Sequence, residues 1–307
     1  MDDPNGWTLA DLPDLSGRRA LVTGVTSGIG EKTALELARH GAEVILAARS
    51  EEKLDVTEAH LRSALPDARL HRVRIDLADL SSVRRAAARA AQLGPLHLLV
   101  NNAGVMATPY HRTVDGFELQ LATNHLGPFL LTGLLLPRLV ESGDGRVVSV
   151  SSQAHRLARR APLDDPRVHH ARHSAWSAYA RSKLADLLFT FELDRRCREE
   201  RLPVKAVAAH PGFSATGLMA QRGGGGLRSV ILEAAFSVAG QPSELGALPT
   251  LMAATADLPG SSYVGPSNFL QLRGLPRIVT PRRLARDPEA QRRLWEVSEE
   301  ATGIRYP

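Results

Sequence analysis

Tyr179 and Lys183 stand four residues apart in the run Tyr179-Ala180-Arg181-Ser182-Lys183. If that run is helical, both side chains lie on one face. An ammonium beside a phenol favours the phenolate, which otherwise forms only near pH ~10. A phenol assisted in this way gives and takes protons close to neutrality, which is what acid/base catalysis requires of a tyrosine. An i, i+4 pair of this kind also occurs on solvated helix faces, so the elements around it decide which it is.

Those elements alternate. Short apolar runs at Arg19 to Thr23, Glu43 to Ala47, Leu70 to Ile75, Leu96 to Asn101, Arg146 to Ser151 and Val204 to Ala209 read as strands, with amphipathic helical segments between them. A βαβα order predicts an α/β protein with a parallel sheet covered by helices on both faces. No internal repeat and no linker divides the chain, so a single domain is expected. The longest apolar stretch, Leu126 to Leu136, is interrupted by Gly127, Pro128 and Gly133. It is too short to span a bilayer and reads as a buried helix.

The first strand runs into Thr23-Gly24-Val25-Thr26-Ser27-Gly28-Ile29-Gly30, after which Glu31 to His40 reads as a helix. Glycines at a strand-to-helix turn allow a tight reversal and a close approach to a pyrophosphate, which then sits at the positive end of the helix. The spacing differs from the GxGxxG form, and a plain glycine turn is the competing reading. At the end of the second strand, where an acid would grip a ribose 2′-hydroxyl, stand Ala48 and Arg49. An arginine there suits a 2′-phosphate, so NADP(H) is expected over NAD(H), with NAD(H) still open.

With these motifs in order, and with Asp76-Leu77, Asn101-Asn102-Ala103-Gly104, Asn124, Ser151-Ser152 and His210-Pro211-Gly212 added, the chain resembles the short-chain dehydrogenase/reductase family from Arg18 to about Gly265. Asn124 to Phe129, Ser151 to His155, Ser182 to Ala185 and the tail Arg293 to Ser298 look most like the branch of retinol dehydrogenases and their bacterial relatives. The resemblance implies a single-domain, Rossmann-type, doubly wound parallel sheet and hydride transfer between a nicotinamide cofactor and a carbonyl or alcohol. It makes Tyr179 the acid/base and Lys183 the residue that assists it and binds the nicotinamide ribose. Ser152 becomes the hydrogen-bond partner of the substrate oxygen, with Ser151 as the competing position. Asn124 supports a proton relay. For the cofactor it implies Gly24, Thr26, Ser27, Gly28, Ile29, Gly30 and Arg49. It adds Asp76 and Leu77 beside the adenine, Asn102, Ala103 and Gly104 behind the ribose, and Pro211, Gly212 and Thr216 near the carboxamide. Asn101 reads as a brace of the sheet. Reduction of an activated carbon-carbon double bond and a non-catalytic dinucleotide sensor are the alternatives; the presence of Asn124, Ser152, Tyr179 and Lys183 together favours an enzyme over a sensor.

Composition excludes other classes. The net charge of +5 comes from 34 arginines and only four lysines scattered among 33 acids. The cluster Arg156, Arg159, Arg160, Arg167 and Arg172 has no interleaved aromatics, so it reads as a solvated face and no nucleic acid is expected. His169, His170 and His173 lack cysteine or carboxylate companions, so no metal is expected. The single cysteine, Cys197, excludes an internal disulfide, and Met1 to Trp7 lacks the pattern of a secretory signal; a cytoplasmic protein without a membrane span follows. Residues 1–17 read as an N-terminal extension and 18–307 as the domain. Within the domain a substrate loop at about 213–242 is expected to act as a lid over an apolar substrate, with Gly223 to Gly226 as its hinge. The helices bearing Asn124 and Tyr179 are the ones that often join two chains in this family, which leaves a homodimer open.

Overall fold

The computed structural model describes residues 6–167, 173–212, 242–268 and 270–307. One eight-stranded sheet runs in the order β3-β2-β1-β4-β5-β6-β7-β8. The strands are β1 Arg19–Thr23, β2 Glu43–Ala48, β3 Leu70–Arg74, β4 Leu98–Asn101, β5 Gly145–Val150, β6 Val204–Ala209, β7 Tyr263–Pro266 and β8 Pro276–Ile278. All neighbours pair in parallel except β7 with β8. The six expected strands are present with boundaries within two residues. The short seventh and eighth strands, rich in glycine and proline, carry too little alternation to be seen in advance.

Because both faces of the sheet are covered at its centre, β1, β2 and β4 are buried on alternate and intervening residues alike, whereas the edge strands β3 and β8 are not. Ala20 and Val22 of β1 point into one core with Val44 and Leu46 of β2, against helices α1 Gly28–Arg39, α2 Glu51–Ala64 and, further along the chain, Ser243–Thr255. Leu21, Ile45 and Ala47 point into the other core, against α3 Leu80–Ala91 and the helices that follow β4 and β5. Those packed there are α5 Gly127–Glu141 and α6 Ala175–Glu199; the short α4 Leu119–Leu121 precedes α5, the helix Ser243–Thr255 is α7, and α8 is Pro288–Thr302. Leu12 and Leu15, within the expected N-terminal extension, are buried in the first core.

The chain crosses from β3 at one side of β1 to β4 at its other side. At such a reversal the strand ends part and leave a crevice beyond their carboxyl termini. Every sequence-derived site residue within the described part lies at or near that end of the sheet. The tail closes the opposite flank of α5 and α6: Trp295 is fully buried against Phe129, Phe189 and Tyr306, with ring centroids 4.6–6.0 Å apart. The buried His125 ring and Ser298 hydroxyl are 2.7 Å apart, so α8 is fastened to the segment that carries Asn124.

Candidate active site

The turn after β1 reverses with Gly24 at φ +72° and Gly28 at φ +59°, a left-handed backbone that favours glycine. Ser27 is the N-cap of α1 but caps nothing with its side chain. The first N–H groups of α1 therefore keep their capacity to bind an anion. A Cβ on Gly30 would lie 2.3 Å from the Gly24 carbonyl oxygen and 2.4 Å from Nδ2 of Asn102. The uncapped helix start fits a dinucleotide diphosphate in its chemistry, and the missing Cβ of Gly30 is what lets the turn pack this tightly against Asn102.

Asn102 and Ala103 join that turn to β4. Their backbone N–H groups each donate to the Thr23 hydroxyl at 3.0 Å, and Asn102 Nδ2 donates to the Thr23 carbonyl at 2.8 Å. Asn101 donates from Nδ2 to the Thr132 hydroxyl at 3.1 Å, bracing β4 on α5. Asp76, just beyond β3, accepts from the Ala78 N–H at 3.0 Å, and Leu77 is buried under Gly127. Arg49 is exposed directly after β2, where its carbonyl accepts from Nε of Arg74 at 3.3 Å. Arg74 lies opposite Ala48 in the register and escaped the sequence reading because it ends a strand with no motif around it.

The catalytic candidates converge from three elements. Ala122–Leu126, between α4 and α5, is a π-helical turn rather than the plain helix expected, a form that recurs at functional sites. It turns Asn124 inward: Oδ1 accepts from the Val105 N–H at 2.8 Å, while Nδ2 donates to the Val105 carbonyl at 3.0 Å and the Ser182 hydroxyl at 2.8 Å. The side chain thereby clasps the loop after β4 to α6. On α6, which is capped at its start by Ser174, Tyr179 and Lys183 are both buried. Lys183 Nζ donates to the Val150 carbonyl at the end of β5, at 2.9 Å, and to Asp186 Oδ2 at 3.0 Å. The Cβ that Gly104 lacks would lie 3.4 Å from that Nζ and 3.1 Å from Oδ1 of Asn124, so the ammonium rests on the floor of the crevice.

The two serines have separate tasks. Ser151 is buried and donates its hydroxyl to the Lys183 carbonyl at 2.7 Å. Ser152 is half-buried, and among the described residues its hydroxyl accepts a local bond from the Ala154 N–H at 3.2 Å. At the end of β6, Gly212 has φ +70°, and a Cβ there would meet the Leu272 carbonyl oxygen at 2.4 Å. His210 beside it is wholly buried, and burial draws its imidazole down to about 3. Pro211 lies between them. Thr216, the hinge Gly223 to Gly226 and the helical stretch expected after it lie outside the described residues, as do His169, His170 and Arg172.

A cavity of about 370 Å³ lies elsewhere, between Tyr110, Glu118, Pro162, Ser177 and Arg181. Ser177 and Arg181 each stand two residues from Tyr179, which places them on the opposite side of α6. In the basic segment after β5 the described arginines, Arg156, Arg159, Arg160 and Arg167, are exposed; Arg156 also donates to the Thr280 carbonyl at 2.8 Å, and Arg167 lies over the Phe117 ring and reaches the Ala301 carbonyl at 3.2 Å. Among the described residues no cluster of histidine, cysteine or carboxylates could hold a metal, and no helix is long and apolar enough to cross a membrane.

With the strand reversal, the glycine cradle and the buried tyrosine-lysine pair all at one end of the sheet, the chain belongs to the short-chain dehydrogenase/reductase family and is an NAD(P)-dependent oxidoreductase. The profile of that family, short chain dehydrogenase, matches residues 18–162. The chain is similar to human retinol dehydrogenase 13, with 37% identity over 100% of this chain and 91% of that protein. It is similar to mouse polyprenol dehydrogenase, with 41% identity over 95% of this chain and 86% of that one. A crystal structure of an uncharacterised protein from Mycobacterium paratuberculosis superposes with a TM-score of 0.82 at 42% identity, covering 99% of this chain and 100% of that one.

Proposed function

We propose that this enzyme interconverts an apolar alcohol and its carbonyl compound with NADP(H), using Tyr179 as acid/base, Lys183 as its cationic partner, Ser152 as the substrate anchor and Asn124 as the support of the proton path. The observation that carries the reading is the placement of Lys183 Nζ between the Val150 carbonyl, one residue before the serine pair, and the Gly104 floor, one helical turn from Tyr179. The cofactor, when bound, supplies the hydride chemistry. Gly24, Thr26, Ser27, Gly28, Ile29 and Gly30 hold its diphosphate end, and Asp76, Leu77, Asn102, Ala103 and Gly104 shape the adenosine side. Pro211, Gly212 and Thr216 serve the nicotinamide end, while Arg49, with Arg74 beside it, favours a 2′-phosphate.

In reduction the Tyr179 hydroxyl gives its proton to the substrate oxygen while Ser152 holds that oxygen by a hydrogen bond; in oxidation Tyr179 takes the proton back. Lys183 places a positive charge beside the phenol and donates to the ribose. Asn124, locked by three hydrogen bonds, keeps the loop after β4 and α6 in register, so these groups act without rearranging. An apolar substrate is supported by the activities for which the relatives are named, retinol and polyprenol dehydrogenation.

The test is a panel of retinoid, isoprenoid and small aliphatic aldehydes and alcohols with NADPH, NADH, NADP+ and NAD+, read by nicotinamide absorbance and product analysis. The expected result is turnover of the long apolar members with NADP(H), lost in Tyr179→Phe. Turnover that survives Tyr179→Phe, or reduction of a carbon-carbon double bond instead of the carbonyl, overturns the reading.

A further inference from the structure

Three residues after Lys183, α6 carries an acid that no motif draws attention to. On a solvated helix an i, i+3 pair such as Lys183 and Asp186 contributes little. Here the ammonium and the carboxylate meet at 3.0 Å with only 7% and 6% of their side chains exposed. Among the described residues Lys183 is the only side chain that donates to that carboxylate. A buried charge without a counter-charge is strongly unfavourable, so each member of the pair depends on the other. The geometry also fixes direction: with Asp186 and the Val150 carbonyl as its two acceptors, Nζ stays against the Gly104 floor next to Asn124.

We propose that Asp186 is a positioning residue, the fixed counter-ion that keeps the Lys183 ammonium charged and aimed at the crevice. The proposal rests on the reading of Lys183 as the residue that binds the nicotinamide ribose. Burial draws Lys183 down, and the Asp186 carboxylate, with a smaller contribution from Tyr179, outweighs it and holds the ammonium above its usual range. Burial pushes Asp186 up to about 7, the ammonium pulling it back only in part. The remaining titratable groups around the pair keep their charge over the working range. Tyr263 on β7 is held well above its usual value by burial, and burial draws His155, after β5, down to about 4 and His210, after β6, down to about 3. Arg156, exposed on the segment after β5, acts electrostatically on those three rings.

Asp186→Asn keeps the shape and an acceptor oxygen but removes the charge. Burial raises the wild-type carboxylate, so as pH falls it takes up a proton, while the acidity of the medium keeps the lysine protonated in both proteins; variant and wild type should therefore converge at low pH. As pH rises, the variant's unpaired, buried ammonium loses its proton while the wild type's does not. NADPH affinity, measured by fluorescence titration, should therefore be within about threefold of wild type at pH 6 and weaker by about tenfold or more at pH 9. A residue with a structural role alone would change affinity by the same factor at every pH, and that outcome overturns the proposal. Should Asp186→Asn not fold, the ε-carbon NMR signal of Lys183 in the wild type decides. It is one of four lysines and is assignable with Lys183→Arg. It should stay protonated beyond pH 10.5, and titration at lower pH overturns the proposal. Neither measurement needs turnover, so loss of the catalytic reading through an active Tyr179→Phe would be a separate result.

Discussion

Gly30→Ala tests whether the turn after β1 is shaped for a diphosphate. In an isolated helix the change would stabilise by about 1 kcal/mol, since alanine is the better helix former. In this fold the new methyl carbon would stand 2.3 Å from the Gly24 carbonyl oxygen and 2.4 Å from Asn102 Nδ2, a full ångström or so inside ordinary contact. Neither neighbour is a free side-chain end. Gly24 is part of the turn, and Asn102 Nδ2 is bonded to the Thr23 carbonyl at 2.8 Å. The β1 turn and the end of β4 must therefore separate, with a net destabilisation of about 1–3 kcal/mol. For a domain of this size that lowers Tm by about 2–4 °C per kcal/mol. The N–H groups facing the diphosphate move with the turn, so NADPH affinity should fall by about ten- to a hundredfold, or 1.4–2.8 kcal/mol. Thermal unfolding with and without NADPH, together with fluorescence titration, measures both. Gly17→Ala is the control: Gly17 has φ +80° with nothing within 4 Å of its missing Cβ. It should show only the cost of left-handed backbone, about 1–2 kcal/mol, and unchanged NADPH affinity. If Gly30→Ala unfolds at or above the wild-type temperature and binds NADPH within about twofold of wild type, the reasoning fails.

Tyr179→Phe should leave Tm and NADPH affinity nearly unchanged and lower kcat/KM by well over tenfold, more than ~1.4 kcal/mol of barrier, in the nicotinamide absorbance assay. Arg49→Ala should weaken NADPH by about tenfold or more while leaving NADH nearly unaffected, since a charge-assisted contact contributes about 1.5–3 kcal/mol; equal loss for both cofactors would contradict the 2′-phosphate reading. Ser152→Ala should reduce turnover at unchanged Tm, whereas Ser151→Ala, which removes the donor to the Lys183 carbonyl, should lower stability by about 1 kcal/mol. Burial draws His125, His155 and His210 down from 6.5 to about 3, about 4 and about 3. The unfolded chain then binds more protons than the folded one below pH ~6.5, so stability is full above that value and is lost as pH falls toward 4, by about 1.4 kcal/mol per histidine per pH unit. Chemical denaturation at pH 7 and pH 5.5 measures this, and a pH-independent midpoint would exclude it.

The sheet was legible in the sequence where strands are buried on both faces, because Ala20 to Val22 or Val44 to Ala48 must be apolar throughout. It was not legible at β7 and β8, where Gly265, Pro266 and Pro276 interrupt any period. The turn glycines, Asn124, the serine pair, Tyr179 and Lys183 stood out through motif and resemblance, and all of them lie at one end of the sheet. Asp186 did not, because an acid three residues from a lysine is ordinary on a helix surface and only tertiary burial makes it unusual. The π turn at Ala122–Leu126 was hidden for a related reason: its composition is that of a helix, and the contacts of Asn124 and His125 accompany the extra residue. The docking of the tail through Trp295 and Tyr306 onto Phe129 and Phe189 depends on residues 106 to 177 positions apart, beyond any local pattern.

The pairing of β1 with β4 sets the order in which a nascent chain can acquire its binding site. β1, β2 and β3 come first and pair with one another, while the other edge of β1 waits for Leu98–Asn101, some 75 residues downstream. Only then does the Thr23 hydroxyl receive the N–H groups of Asn102 and Ala103 and the glycine turn gain its second wall. Closing so long a loop is slow compared with local helix formation. Until β4 pairs, that edge of β1 keeps its backbone N–H and C=O groups unpaired, and a cofactor that binds the finished turn can stabilise the protein only after both halves have met.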